Sequence, residues 1–184
     1  MPTRRARLGS ESPVLGNDRI RLRQILREAE GYLELKMPLQ ALETLSRVDS
    51  LSPHQSQTLY LRGESLRALE RYEEALVPLI EASELAPSNV HVWLALGWCY
   101  KRTGQLDLAI QSLEQAREAA PRESLIQYNL ACYMSLAGRK NRALEYLARA
   151  LGMDSRYREL IGDEPDFDPL RSDPDFQALT SIIV

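Results

Sequence analysis

From about residue 22 to residue 157 the apolar positions fall at helical spacing, and the whole arrangement returns every 34 residues. The stretch WLALGWCYKRTGQLDLAIQSLEQAREAAP (Trp93–Pro121) shows one unit: a helix, a turn containing Gly104, a second helix and a closing proline. Steps of 34 from Gly97 and Tyr100 land on Gly63 and Leu66, on Ala29 and Tyr32, and on Ala131 and Met134. The same steps from Ala109, Leu113 and Ala116 give Ala75, Leu79 and Ala82, then Ala41, Leu45 and Val48, and forward Ala143, Leu147 and Ala150. Four units follow without an insertion, 22–55, 56–89, 90–123 and 124–157, covering 136 of 184 residues.

The spacing has a physical reading. Small residues at Ala29, Gly63, Gly97 and Ala131, and at Ala41, Ala75, Ala109 and Ala143, let the two helices of each unit cross closely at one point. Large residues three and four positions away fill the grooves beside it. Pro53, Pro87 and Pro121 end the second helices, since proline cannot continue them, and Ser155 stands at the fourth such position. Pro38 falls where a second helix begins, a place that tolerates proline. Gly104 and Gly138 fall in the turns. One helix pair cannot bury its apolar face alone; stacked pairs can, and their ends then need caps. Residues 158–184 supply a candidate cap, in which PDFDPL (Pro165–Leu170) and PDFQAL (Pro174–Leu179) repeat a motif around the chain's two phenylalanines. Ser172 or Asp173 is the expected N-cap of a last helix starting at Pro174.

Trp93, Leu96, Gly97 and Tyr100 spell W-x2-L-G-x2-Y, and Ala109, Leu113, Ala116 and Pro121 continue it. On these residues the chain resembles the tetratricopeptide repeat family, and its DPDF-rich end resembles the tails that close bacterial proteins of that kind. The resemblance implies an all-α fold, a right-handed α-solenoid of helix–turn–helix repeats with a C-terminal capping helix. It also implies a concave groove, lined by the first helix of each unit, in which partners bind.

On a helical wheel Trp98 projects nearly opposite Trp93, away from the packing face of Leu96, Gly97 and Tyr100. His91, Leu94, Lys101 and Arg102 share its side. Steps of 34 add Gln57, Tyr60, Glu64 and Arg67 from the unit before, Tyr128, Asn129 and Cys132 from the unit after, and Glu30 from the first. The expected groove therefore presents Tyr60, Trp98 and Tyr128, edged by Arg67, Lys101 and Arg102. Amphipathic rings beside arginine are the residues that carry interfaces, and the basic groups favour an acidic segment. Two other readings stand beside this: Trp98 and the tyrosines pack between units, or Glu64 and Arg67 form a surface ion pair of little worth. The co-chaperone members of the family hold a terminal carboxylate with lysine, asparagine and arginine. The matching positions here are Leu26, Glu30, Leu61, His91 and Ala95, and none fits.

Composition narrows the functional classes. A formal net charge of −3 gives no dense basic surface for nucleic acid. No run of roughly 18 apolar residues is available for membrane insertion, and residues 1–21 read as a flexible basic tail rather than a signal peptide. Cys99 and Cys132 are too few for a disulfide framework or a thiolate metal cage, and suit a reducing, cytoplasmic setting. His54 and His91 are the bases available near neutral pH. His91 and Cys132 stand seven positions apart in unit register, roughly 10 Å along parallel helices, too far for a catalytic couple. The acids of GDEPDFDPLRSDPD lack the turn glycine and closing glutamate of a calcium loop. No catalytic residue, cofactor or metal is therefore expected. Two functions remain. One is an adaptor or scaffold holding a peptide or extended protein segment, indistinguishable at this level from a chaperone for a secreted or membrane-associated client. The other is weak head-to-tail self-assembly: residues 1–27 carry seven arginines against Glu11 and Asp18, and residues 154–184 carry eight acids against three arginines.

Overall fold

The computed structural model describes residues 13–48 and 54–181, with side chains from residue 19 onward. The helix stop expected at Pro53, and residues 1–12 of the expected tail, lie outside the described residues. In chain order the helices are α1 (Pro13–Glu34), α2 (Pro38–Leu45), α3 (Gln55–Ala68), α4 (Tyr72–Leu85), α5 (Val90–Arg102), α6 (Leu106–Ala119), α7 (Ser124–Leu136), α8 (Lys140–Met153), α9 (Tyr157–Ile161) and α10 (Pro174–Thr180), with a 3₁₀ helix at Pro165–Leu170 between the last two. From α1 to α8 each helix packs on the next, and α1 also touches α3, as α3 touches α5. This chain of neighbour contacts is the expected α-solenoid, each pair burying the apolar face of the one before.

The turn inside each pair has one geometry at four places. The residues at 36, 70, 104 and 138 all hold positive φ, 58° at Lys36, 59° at Glu70, 75° at Gly104 and 68° at Gly138. Around each, the amide of the following residue donates to the carbonyl five positions back: Met37 to Tyr32, Arg71 to Leu66, Gln105 to Tyr100 and Arg139 to Met134, all at 2.8–3.0 Å. That is the glycine-type helix ending in which a left-handed residue lets the last carbonyls find donors. Glycine holds the position without strain in two of the turns, and Lys36 and Glu70 hold it with a side chain in the others.

The crossing points are as tight as the small residues imply. Ala29, Ala41, Ala75, Ala109, Ala131 and Ala143 have no exposed surface. A Cβ placed on Gly63 would lie 2.4 Å from Leu79 Cγ, and one on Gly97 would lie 3.2 Å from Leu113 Cγ. Trp93 packs against two of the three apolar clusters of the core, and its indole N–H donates to the Pro87 carbonyl at 2.7 Å. One unit later, Gln127 Nε2 reaches the Pro121 carbonyl at 3.5 Å. The sequence position that packs α5 thus also ties the third and fourth units to the proline loop before them.

One boundary differs from the sequence reading, and another takes one of its two expected candidates. Helix α1 begins at Pro13, inside the stretch 1–21 expected as a tail. Arg19, Ile20 and Arg21 in this extension are all exposed. At the other end Asp173, not Ser172, caps α10; its Oδ1 accepts from the amides of Asp175 at 2.9 Å and Phe176 at 3.2 Å. Among the described residues no helix is long and apolar enough to cross a membrane.

Candidate functional site

The first helices α1, α3, α5 and α7 bring the expected groove residues onto one face, in three different states. At the N-terminal end the face is open. Glu30 of α1, Gln57 and Tyr60 of α3, His54 and Ser56 at its start, and Asn89 before α5 line a cavity of about 430 Å³. Gln57 Nε2 donates to Glu30 Oε1 at 2.7 Å across the helix pair. Asn89 caps α5 by accepting from the His91 amide at 3.1 Å. The Tyr60 ring lies 6.5 Å from the imidazole of the exposed His91. Burial, and then the negative charge of Glu64 and Glu30, push the Tyr60 hydroxyl up to about 12, so it stays a neutral donor.

In the middle Trp98 is 39% exposed, a large ring on a helix whose other face is buried. Leu94, on the same side, is half-buried against the core. The cations expected to edge the groove each have a partner within the chain. Arg67 binds both oxygens of Glu64 at 2.7 Å. Lys101 Nζ lies 5.3 Å from the Trp98 ring centre and 5.2 Å from that of Tyr133, and pairs with Asp166 at 2.5 Å. Arg102 lies over the ring of Tyr72, 4.9 Å from its centre, at the edge facing α4. The pull on an acidic ligand that three unpaired cations would exert is correspondingly reduced.

At the C-terminal end the face is closed, and this corrects the expectation for Tyr128 and Cys132. Tyr128 is 5% exposed and Cys132 2%. Tyr157 stacks on Tyr128 with ring centres 4.5 Å apart, Phe167 meets it edge-on at 5.8 Å, and Phe176 backs Phe167 at 5.5 Å. Asn129, the neighbouring position, is half-buried. Sequence reasoning placed the phenylalanines over the open end of the stack; the 3₁₀ helix carries Phe167 onto the face of α7 instead. Asp166, the acid that engages Lys101, was missed as a groove residue. Its only sequence signal is its place directly before Phe167. Helix α7 keeps three buried polar atoms without a hydrogen-bonding partner among the described residues, Gln127 Oε1, Tyr128 Oη and Ser135 Oγ, of which Tyr128 lies against Phe167.

The thiols are poor nucleophiles here. Burial pushes Cys99 up to about 11, and burial with the nearby charges of Glu164 and Asp166 pushes Cys132 higher still. His91 lies beside Tyr60, while Cys132 sits beneath the 3₁₀ helix. The face therefore offers rings, amides and paired charges rather than an activated group.

Residues 66–132 match the family model for the tetratricopeptide repeat. Over 83 residues, 45% of this chain, the sequence is 30% identical to anaphase-promoting complex subunit 3 of Dictyostelium discoideum, and the match spans only 9% of that protein's length. Among solved structures, a fragment of MamA from Desulfovibrio magneticus superposes with a TM-score of 0.68 at 19% identity, over 85% of this chain and 92% of that one. YrrB, described as a TPR protein with an unusual peptide-binding site, superposes with a TM-score of 0.65 at 21% identity, over 73% of this chain and 70% of that one. At such identities the structural likeness shows the fold, and the family match shows the repeat over residues 66–132.

Proposed function

We propose that this chain is a non-catalytic protein-interaction module, in which four stacked tetratricopeptide units and a C-terminal cap hold an extended segment of another protein along the first-helix groove. One observation carries the reading: Trp98 stands 39% exposed on the face that also holds the open cavity beside Tyr60. A tryptophan left partly in water on a face that also holds a pocket is the composition of an interface centre. The ordered helices beneath it are fixed before the ligand arrives, which lowers the cost of binding. Glu30, Gln57 and Asn89 supply donors and acceptors suited to a peptide backbone. Tyr60, His91, Leu94 and Trp98 supply contact area, and Arg102 with Asn129 edges the site. Buried thiols suit a reducing compartment such as the cytoplasm.

Head-to-tail self-assembly has less support. Five of the eight acids between 154 and 184 are paired within the chain: Asp154 with Arg156, Asp166 with Lys101, Asp168 with Arg171, and Asp173 and Asp175 with Lys140.

The reading is tested by placing a photo-crosslinking residue at Tyr60 or Trp98, and for comparison at Val77, which is 69% exposed on α4. Native extract should give discrete crosslinked products from positions 60 and 98 that position 77 does not give. Trp98→Ala, with helicity and melting unchanged, should reduce the products from position 60. Identical products from all three positions would reject the groove as the working site.

A further inference from the structure

The two halves of the cap are seated differently. Helix α10 is tied to α8, its neighbour in the stack, through Lys140 with Asp173 at 2.5 Å and Asp175 at 2.9 Å. The 3₁₀ helix Pro165–Leu170 instead lies on α7 and reaches past it to α5, where Asp166 Oδ2 sits 2.5 Å from Lys101 Nζ. The next residue, Phe167, is fully buried against Tyr128, edge-on at 80°. Consecutive anionic and aromatic side chains thus engage two different first helices, a charge paired beside a ring that fills a pocket. Grooves hold peptides in this way.

As a permanent cover the segment fits poorly. It is six residues of 3₁₀ helix, with Pro165 and Pro169 contributing no backbone donor. The Tyr128 hydroxyl, whose ring Phe167 covers, is buried without a hydrogen-bonding partner among the described residues. The charge of Asp166 is tolerated out of water only while Lys101 opposes it.

We infer that Lys101 of α5, with Tyr128, Cys132 and Tyr133 of α7, forms a binding site for an Asp–Phe segment of a partner protein, held shut in the resting chain by its own Asp166 and Phe167. The inference rests on the groove reading and deepens it by naming the ligand chemistry of the distal half. Charge complementarity at Lys101 selects an acid, and the pocket on Tyr128 selects an aromatic directly after it. A tethered segment competes at an effective concentration on the order of millimolar. An isolated peptide therefore loses to it, and a partner that also contacts Tyr60 and Trp98 displaces it.

The test is a fluorescence-anisotropy titration with a labelled peptide of residues 163–171, DEPDFDPLR. It uses the full chain, the double variant Asp166→Ala with Phe167→Ala, and that variant with Lys101→Glu added. The double variant is expected to bind the peptide at least about ten-fold more tightly than the wild type, and the added Lys101→Glu to remove that gain. Equal affinity for all three proteins, or no binding to a double variant whose helices α1–α8 still melt cooperatively, overturns the inference. Should the double variant fail to fold, hydrogen exchange on the wild type decides. Residues 163–171 are expected to exchange at least about ten-fold faster than α7, by local opening. Exchange of both at one common rate overturns the inference. Light scattering that shows a wild-type dimer, dissociated by the peptide, would identify a second copy as the occupant and overturn the partner form. The titration needs no partner protein, so its failure leaves the crosslinking result at Tyr60 and Trp98 standing, and the reverse holds equally.

Discussion

Replacing Gly63 by alanine tests whether the helix crossing sets the fold of the second unit. In an exposed helix this change would stabilise by about 0.8–1 kcal/mol through helix propensity. Here the new methyl would lie 2.4 Å from Leu79 Cγ and 2.5 Å from Leu79 Cδ2. Leu79 has no exposed surface, so it has no free space to turn into. Overpacking of this kind costs about 1–3 kcal/mol, and the net expectation is destabilisation by roughly 1–2 kcal/mol. Gly97→Ala is the internal control, because its methyl would meet Leu113 at 3.2 Å, where a shift of a few tenths of an ångström suffices. There the propensity gain and the smaller strain offset each other to within about 0.5 kcal/mol. Urea unfolding followed by helical circular dichroism measures both. A chain of this size should lose roughly 2–8 °C in melting temperature for Gly63→Ala. The clash also predicts non-additivity: Leu79→Ala costs about 2–5 kcal/mol alone, and combined with Gly63→Ala the two should cost roughly 1–2 kcal/mol less than their sum. Simple additivity, or equal damage from Gly63→Ala and Gly97→Ala, would refute the argument.

The remaining expectations draw on other parts of the molecule. Glu70→Gly removes a side chain from a backbone held at φ 59°, and should raise stability by about 0.5–1 kcal/mol, read from the urea midpoint. Pro78 stands inside α4 without an amide to donate, so Pro78→Ala should stabilise by about 1–3 kcal/mol in the same assay. Lys140 holds the Asp173 carboxyl below its usual range, so the contribution of Asp173 is present above the ordinary aspartate value and is lost as pH falls through the lower folded value. An acid titration of the cap, followed by exchange of α10, should show this loss, and Asp173→Asn should flatten it. Cys99 and Cys132 should be silent to a thiol reagent near pH 7.5 until the chain is unfolded; rapid labelling of the native protein would contradict their burial.

The sequence was most legible where the fold demands an unusual residue. Crossing points need a missing side chain, and left-handed turns favour glycine, so Gly63, Gly97, Gly104 and Gly138 announce the helix pairs. Lys36 and Glu70 hide equivalent turns, which emerge only from the 34-residue step. The helical wheel places Trp98 in solvent because the test is local to one helix. The contact of Asp166 with Lys101 bridges 65 positions with no period relating them, so nothing in the repeat foreshadows it.

The same reason separates positions that the period makes equivalent. Glu64, Trp98 and Cys132 occupy one register site, and Tyr60, Leu94 and Tyr128 occupy another. A repeat argument assigns each set a single environment, and that holds only where a further unit follows. Trp98 stays 39% exposed because, among the described residues, no cap segment lies over its part of the face. After α8 no fifth pair follows in the described chain, and the face of α7 receives a short non-repeating segment. Tyr128 at 5% and Cys132 at 2% exposure are therefore closed because the end of the stack brings the cap segment within reach, where Lys101 and Tyr128 hold it. It follows that moving the array end should move the closure. With one consensus unit inserted between residues 157 and 158, the tether that holds the 3₁₀ segment over Lys101 is displaced by a whole unit, and Tyr128 should gain exposure comparable to that of Tyr60. Hydroxyl-radical footprinting at Tyr128 reads this directly. A tyrosine that stayed protected would mean that the closure of α7 does not depend on where the stack ends.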